Sequence, residues 1–251
     1  MRKFLNGPWV LLMPTLIILT CVVLLPLLLS LWTSFTPFKL TKPDTLYRFV
    51  GFRNYERLIG DLDFWIAFGR TVLFLAIALN LELVFGLGIA LLINKITYGQ
   101  RTLRTLMMFP MMFSPILVGF QWKYIFNDNI GLMNNFLREF GVIQPIPWLV
   151  DGILANVSIM AAEIWSSTSV FAILLLAGLL GIPKDPIEAA KVDGCNSWQV
   201  FKNITLPFLM PFVFIAMTIR SLDVARAYDI VQMMTGGGPA KRTELLWTLI
   251  S

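Results

Sequence analysis

The sequence contains no histidine and only two cysteines, Cys21 and Cys195. A zinc cluster, a histidine-based catalytic site and a disulfide framework are therefore poorly supported. Charged residues are also scarce, at 14% of the 251 residues, which is too few for the surface of an ordinary soluble domain. The formal net charge of +5 comes from lysines and arginines scattered between apolar blocks, a distribution that does not indicate nucleic-acid binding.

Long apolar stretches are the main feature that the sequence does contain. Hydrophobic residues make up 57% of the chain, and the mean hydropathy is +0.74. Because a helix needs ~20 mostly apolar residues to cross a membrane, we predict an all-α, polytopic membrane protein. It is predicted to be one transmembrane domain over residues 1–251, with about six transmembrane helices. The predicted spans are residues 9–32, 72–93, 106–125, 157–180, 207–232 and, truncated in this chain, 243–251.

The most informative polar stretch lies between the fourth and fifth predicted spans, at residues 183–206. Its residue types predict two short helices joined by a tight turn. Asp185 can cap the first helix and Gly194 can end it, while Asn196 can cap the second helix. The stretch also contains a long, specific pattern: Glu188-Ala189-Ala190, Asp193-Gly194, Phe201, Ile204, Leu206-Pro207 and Pro211.

This pattern resembles the EAA loop of permease subunits of binding-protein-dependent ABC importers. The sequence departs from it at Cys195, where alanine is usual, a change between small side chains. Residues 178–183 and the glycine loop at 235–239 resemble the carbohydrate-uptake branch, of the maltose, trehalose or glycerol phosphate type. The resemblance implies a permease for a sugar or sugar derivative in the bacterial cytoplasmic membrane, and it leaves open which sugar is carried.

The resemblance also implies partners. A cytoplasmic ABC ATPase dimer would bind the coupling helix through Glu188, Ala189, Ala190, Asp193 and Gly194. A second, homologous permease would form a heterodimer with this chain, and an extracytoplasmic solute-binding protein would deliver the cargo. The sequence has no G-x-x-x-x-G-K-[ST] phosphate loop, so ATP and Mg²⁺ are expected on the ATPase. No enzymatic activity, cofactor or metal is expected on this chain.

Ionisable groups within spans are costly and usually face a cavity or a partner helix. The resembled permeases place part of their sugar site on the turns that correspond here to residues 163–167 and 223–228. The predicted substrate-path residues are Glu163, Ser166, Ser167, Asp223, Arg226 and Tyr228. As an alternative, Asp223 and Arg226 form only an ion pair within one helix. Glu82, near two glycines, is predicted to make an interhelical contact.

The basic residues do not by themselves decide the orientation, although short loops and the EAA pattern favour a cytoplasmic N-terminus. Two other functions remain possible on the sequence alone. A polytopic membrane enzyme would use intramembrane carboxylates, but the sequence lacks histidine and paired loop aspartates in a metal-binding arrangement. An ion-coupled secondary transporter commonly shows inverted repeats and broken helices, and no corresponding pair of segments is found.

Overall fold

A computed structural model describes residues 8–39, 41–142 and 144–250. Their regular structure is helical, which confirms the predicted all-α class. The contacts divide the chain into two compact units, residues 1–65 and 66–251. The predicted cytoplasmic N-terminus falls on residues 1–7, outside the described residues.

The described part of the first unit begins with an apolar helix that contains one π-helical turn. Helix α1 (Pro8–Leu19) leads through a π-helical turn (Thr20–Leu24) into α2 (Leu25–Ser34). The candidate span Leu11–Ser34 has none of its most apolar window buried within the chain, as expected for a helix that is apolar all round and faces lipid or another subunit. A 3₁₀ turn (Pro43–Tyr47) and α3 (Arg53–Ile59) follow.

The second unit contains the other long helices. Most of helix α4 (Leu62–Lys95) belongs to this unit. It is followed by α5 (Gln100–Met108), a 3₁₀ turn (Pro110–Met112), α6 (Pro115–Ile125) and α7 (Leu132–Glu139). Helix α8 (Gly152–Leu180) precedes the short α9 (Lys184–Val192) and α10 (Ser197–Val200). A π-helical turn (Phe201–Thr205) then opens α11 (Leu206–Ala225), and α12 (Asp229–Met234) and α13 (Leu246–Ile250) complete the described part.

Both π-helical turns have the same cause in the sequence. Each lies just before a proline, Pro26 in α2 and Pro207 in α11. A proline cannot donate a backbone hydrogen bond, and its ring displaces the carbonyl of the preceding turn. The N–H groups of Leu25 and Leu206 instead donate to the carbonyls of Thr20 and Phe201, five residues earlier, so one extra residue is accommodated in the turn.

Among the described residues, four helices are long and apolar enough to cross a membrane, or five if a bent pair is one span. The bent pair joins Gln100–Met112 to Pro115–Ile125 at 90°, whereas the prediction for residues 106–125 was a continuous helix. Pro110 and Pro115 explain the break, since neither can donate to the preceding turn. The fifth predicted span corresponds to α11, which ends at Ala225 instead of reaching residue 232. The six-span layout therefore remains a prediction.

Small residues bring the long helices of the second unit close together. A Cβ added to Gly86 of α4 would lie 2.5 Å from Cβ of Phe171 in α8, and one added to Gly178 of α8 would lie 2.8 Å from the ring of Phe212 in α11. Glycine permits such close approach where lipid supplies no hydrophobic force between helices. The apolar core therefore joins α4, α8 and α11, with Phe171, Leu175, Leu209 and Ala216 fully buried.

Candidate functional site

A buried arginine connects three of the long helices. Arg220 on α11 directs two nitrogens at Glu82 of α4, with Nε 3.1 Å from Oε2 and Nη2 3.1 Å from Oε1. Its Nη2 also donates to Oε1 of Glu163 on α8, at 2.8 Å. The planar guanidinium suits this forked arrangement, which a lysine could not reproduce. The predicted interhelical contact of Glu82 is confirmed, and Arg220 is its partner.

Burial makes this ion cluster important for the packing of the helices. Glu82 is 0% exposed, Arg220 6% and Glu163 8%. Charges removed from water in this way are tolerated only when they are paired and hydrogen-bonded. Removing one partner of such a cluster leaves the others uncompensated. The cluster therefore fixes the relative positions of α4, α8 and α11.

A polar cavity lies beside this ion cluster. Its volume is about 310 Å³, and its lining includes every predicted substrate-path residue: Glu163, Ser166, Ser167, Asp223, Arg226 and Tyr228. Arg220 and Asp229 also contribute to the lining. Residues 163–167 come from α8, Asp223 comes from α11, and Arg226 and Tyr228 come from the break between α11 and α12. The structure thus brings two separate sequence segments to one site.

The polar cavity combines several hydrogen-bonding groups. Ser167 Oγ donates to Glu163 Oε1 at 3.3 Å, and Ser166 Oγ donates to the carbonyl of Glu163 at 3.0 Å. Hydroxyls, carboxylates, guanidinium groups and the phenol of Tyr228 together present donors and acceptors in the same space. Such a lining can bind a ligand that carries many hydroxyl groups.

The ion pair proposed between Asp223 and Arg226 is wrong. Asp223 Oδ2 lies 3.3 Å from Nη1 of Arg220, which is three residues earlier on α11. Helix α11 ends at Ala225, so Arg226 lies beyond the last regular turn. Arg220 is not among the substrate-path residues predicted from the sequence. The signal for the pairing of Arg220 was the presence of two acidic residues, Glu82 and Glu163, in other apolar spans.

The predicted helical hairpin is present between α8 and α11, and its turn is built as expected. Gly194 has φ +80°, the left-handed conformation that ends helices. The N–H of Cys195 donates to the carbonyl of Ala190 at 2.9 Å. In α10, Asn196 Oδ1 accepts from the N–H of Gln199 at 2.9 Å, and Gln199 Oε1 accepts from the N–H of Asn196 at 2.8 Å. This reciprocal pair is a capping box.

The start of the hairpin differs from the prediction. Helix α9 begins at Lys184 with Pro183 in the capping position, and no side chain caps it. Asp185 lies instead in the first turn, where its negative charge complements the helix dipole. The reason is that Pro183 already has an extended backbone, with ψ 143°, so the helix can start one residue before Asp185.

Four of the predicted coupling residues are available on the surface of the hairpin. Glu188, Ala189, Asp193 and Gly194 are exposed, whereas Ala190 is 8% exposed and packs inward. A partner could therefore contact two carboxylates and two small residues here. The hairpin is also the direct connection between α8 and α11, two of the helices that line the polar cavity.

Comparison with known proteins agrees with this arrangement of helices. The family model described as "Binding-protein-dependent transport system inner membrane component" matches residues 82–250. The trehalose/maltose transport system permease protein MalF of Thermococcus litoralis is 35% identical over 238 residues, covering 94% of this chain and 79% of that protein. A probable ABC transporter permease of Sinorhizobium fredii is 34% identical over 234 residues, covering 93% of this chain and 75% of that protein.

A solved structure has the same fold. It is the crystal structure of a bacterial ABC transporter involved in the import of the acidic polysaccharide alginate. One of its chains superposes with a TM-score of 0.83 and is 21% identical; the match covers 99% of this chain and 85% of the other.

Proposed function

The chain belongs to the family of inner-membrane components of binding-protein-dependent transport systems, and we propose that it carries a sugar or sugar derivative across the bacterial cytoplasmic membrane. The trehalose/maltose relative supports a sugar as the cargo. The polar cavity supports it independently, because sugars need many hydrogen-bond partners. The family match gives no support to a membrane enzyme or an ion-coupled transporter.

One observation carries the proposed mechanism: the hairpin directly joins α8 and α11, two of the helices that line the polar cavity. We propose that an ABC ATPase dimer binds the exposed face of α9 on the cytoplasmic side. ATP and Mg²⁺ would be held by those ATPase subunits. When the ATPases close, movement of the hairpin would displace α8 and α11, and the ion cluster would transmit the displacement to α4. The cavity would then open alternately to the two sides of the membrane.

The proposed assembly has further members. A second, homologous permease would complete the pathway as a heterodimer with this chain. An extracytoplasmic solute-binding protein would deliver the sugar to the side opposite the hairpin. The family description, which names binding-protein-dependent transport, supports the delivery step. In this proposed arrangement, the N-terminus of the chain would lie in the cytoplasm.

The coupling proposal predicts a strong effect of Gly194→Asp. Gly194 is exposed with φ +80° and no atom within 4 Å of an added Cβ, so the substitution strains the turn and adds a charge without a steric clash inside the chain. We expect the protein to insert normally and to lose association with the ATPase. Co-purification of the ATPase and uptake of labelled trehalose and maltose by a deletion strain that carries the variant would measure the two effects.

Gly141→Asp is the matched control, because Gly141 also has a positive φ, +89°, and open space around an added Cβ. It introduces the same strain and the same charge outside the hairpin. Uptake and co-purification should remain near wild type in this control. Normal ATPase association by Gly194→Asp would contradict the coupling role of the hairpin.

The cavity proposal predicts that Asp223→Ala reduces sugar uptake while the complex still assembles. The Asp223 side chain is 60% exposed. Its removal takes away one contact of Arg220, but Arg220 remains paired with Glu82 and Glu163. A panel of labelled sugars, including mono- and disaccharides, would identify the cargo and measure the loss. Unchanged uptake kinetics for every transported sugar would remove Asp223 from the site.

A further inference from the structure

A second cavity lies at the base of the hairpin, on the opposite face from its proposed ATPase contact. We call it the loop-base cavity, and its volume is about 440 Å³, within the ~300–1,000 Å³ range of small-molecule sites. Its lining comes from the last turns of α4 and α8, from the hairpin, and from the π-helical turn before α11. Three candidate spans therefore end around it, which puts the cavity at the boundary between membrane and water.

The walls of the loop-base cavity are mainly apolar. Leu91 of α4, Leu179 of α8 and Ile187 of α9 face it from three sides, together with Val200 and Phe201. A small, strongly hydrated ligand would gain nothing from these walls, whereas a hydrocarbon chain would bury its surface against them. Trp198 lies at the rim and is 67% exposed, and tryptophan is the residue most typical of the membrane interface.

The charge of the lining has one sign. Lys95 closes α4 and Lys191 belongs to the last turn of α9, and both contribute to the cavity. Both are exposed, and none of the described residues that line the cavity carries a carboxylate. Basic groups that converge at the membrane ends of helices attract the phosphates of anionic lipids. An anionic head group beside Lys95 and Lys191 would therefore complement the cavity.

We infer that the loop-base cavity binds an anionic phospholipid, with an acyl chain against the apolar walls and the phosphate between Lys95 and Lys191. Such a lipid would occupy the space between the hairpin and the ends of the spans. The bound lipid would therefore limit how far the hairpin can move toward the bilayer. The inference rests on the proposed function only for the side of the membrane: the bound lipid would belong to the cytoplasmic leaflet.

Cys195 provides a direct reporter, because this residue lines the loop-base cavity and is partly exposed. The assembled complex, with Cys21→Ser as background, is reconstituted in nanodiscs of phosphatidylcholine with or without phosphatidylglycerol. We expect phosphatidylglycerol to slow the reaction of Cys195 with N-ethylmaleimide. Native mass spectrometry of the delipidated complex, which does not depend on the thiol, should show retained phosphatidylglycerol.

Substitutions of the lysines test the head-group contact. Lys95→Gln and Lys191→Gln should each weaken the protection by phosphatidylglycerol about fivefold, the effect expected for one basic group near an anionic surface, and the double variant should abolish it. Lys184→Gln is the matched control, since Lys184 lies on the same helix as Lys191 but does not line the cavity. It should leave the protection unchanged.

Three results would overturn the inference. Equal labelling with and without phosphatidylglycerol would show that no anionic lipid binds. Equal protection of Cys195 from N-ethylmaleimide by inorganic phosphate would assign the site to a free anion. Protection of Cys195 in nanodiscs of phosphatidylcholine alone would show that a partner protein covers the cavity. None of these results depends on transport, so they leave the proposed function untouched. Loss of uptake in the Gly194→Asp test, in turn, does not affect the labelling result.

Discussion

Two carboxylates of the second unit, Glu82 and Asp151, are stabilised in opposite ways. Glu82 is 0% exposed in the middle of α4 and is paired with Arg220 of α11, a residue 138 positions away in the chain. Asp151 lies in water at the start of α8, and its Oδ1 accepts from the N–H groups of Ile153 and Leu154 at 2.9 and 3.0 Å. Within a span, a charge therefore depends on another helix, whereas at a helix end it depends on its own backbone.

This difference predicts that the largest loss of stability will come from Arg220→Met. The substitution leaves Glu82 and Glu163 buried without their shared cation, and breaking such a cluster costs about 3–5 kcal/mol. We expect the purified variant to unfold at a much lower temperature, as measured by size-exclusion thermostability in detergent. Arg220→Lys should be intermediate, because an ammonium retains the charge but cannot form the fork to Glu82.

The comparison is sharpened by a triple variant, Glu82→Gln, Glu163→Gln and Arg220→Met. It removes all the charges of the buried cluster together, and replacing a complete buried cluster is often neutral. Partial recovery of the melting temperature would show that unpaired charge causes the loss. If Arg220→Met alone is as stable as the wild type, the three helices are not held together by this cluster.

A smaller effect is expected from packing inside the same group of helices. Gly86→Ala places a Cβ 2.5 Å from Cβ of Phe171, and neither backbone can move away without opening the contact between α4 and α8. Forcing an extra methyl group into a packed interior typically costs about 1–3 kcal/mol. The melting temperature in detergent should therefore fall by less than in Arg220→Met.

Gly88→Ala is the matched control, two residues further along the same helix. A Cβ at Gly88 meets nothing within 4 Å, and alanine is a better helix former than glycine. This variant should be as stable as the wild type or slightly more so. A similar loss in both variants would mean that backbone conformation, and not the contact with Phe171, limits position 86.

The same contrast explains how much of the structure could be predicted from the sequence. Patterns within a few residues predicted the two short helices of the hairpin, the turn at Gly194 and the cap at Asn196, although not the cap at the start of its first helix. Apolar length predicted the helical class and the approximate positions of the long apolar helices. These features are local, so the residue types and their spacing are sufficient to predict them.

The parts that could not be predicted depend on contacts between distant segments. The break between Met112 and Pro115 and the pairing of Arg220 with Glu82 are examples. A proline in a membrane helix is compatible with either a continuous or a broken span, and neighbouring helices decide which forms. The substrate-path residues were predicted from a resemblance, and only the fold showed that they line one cavity.

The smallest effect on stability is expected at Asp151, the exposed one of the two carboxylates compared above. The N–H groups of Leu154 and Ile153 hold the pKa of this carboxyl below its usual range. A depressed pKa in the folded state means that the stabilisation is complete above the unfolded pKa of ~3.9 and is lost as the pH falls through the folded value. Asp151→Asn keeps a capping side chain that cannot titrate. The difference in melting temperature between wild type and Asp151→Asn should therefore shrink between neutral pH and about pH 3, whereas an unchanged difference would mean that the cap does not depend on the charge of Asp151.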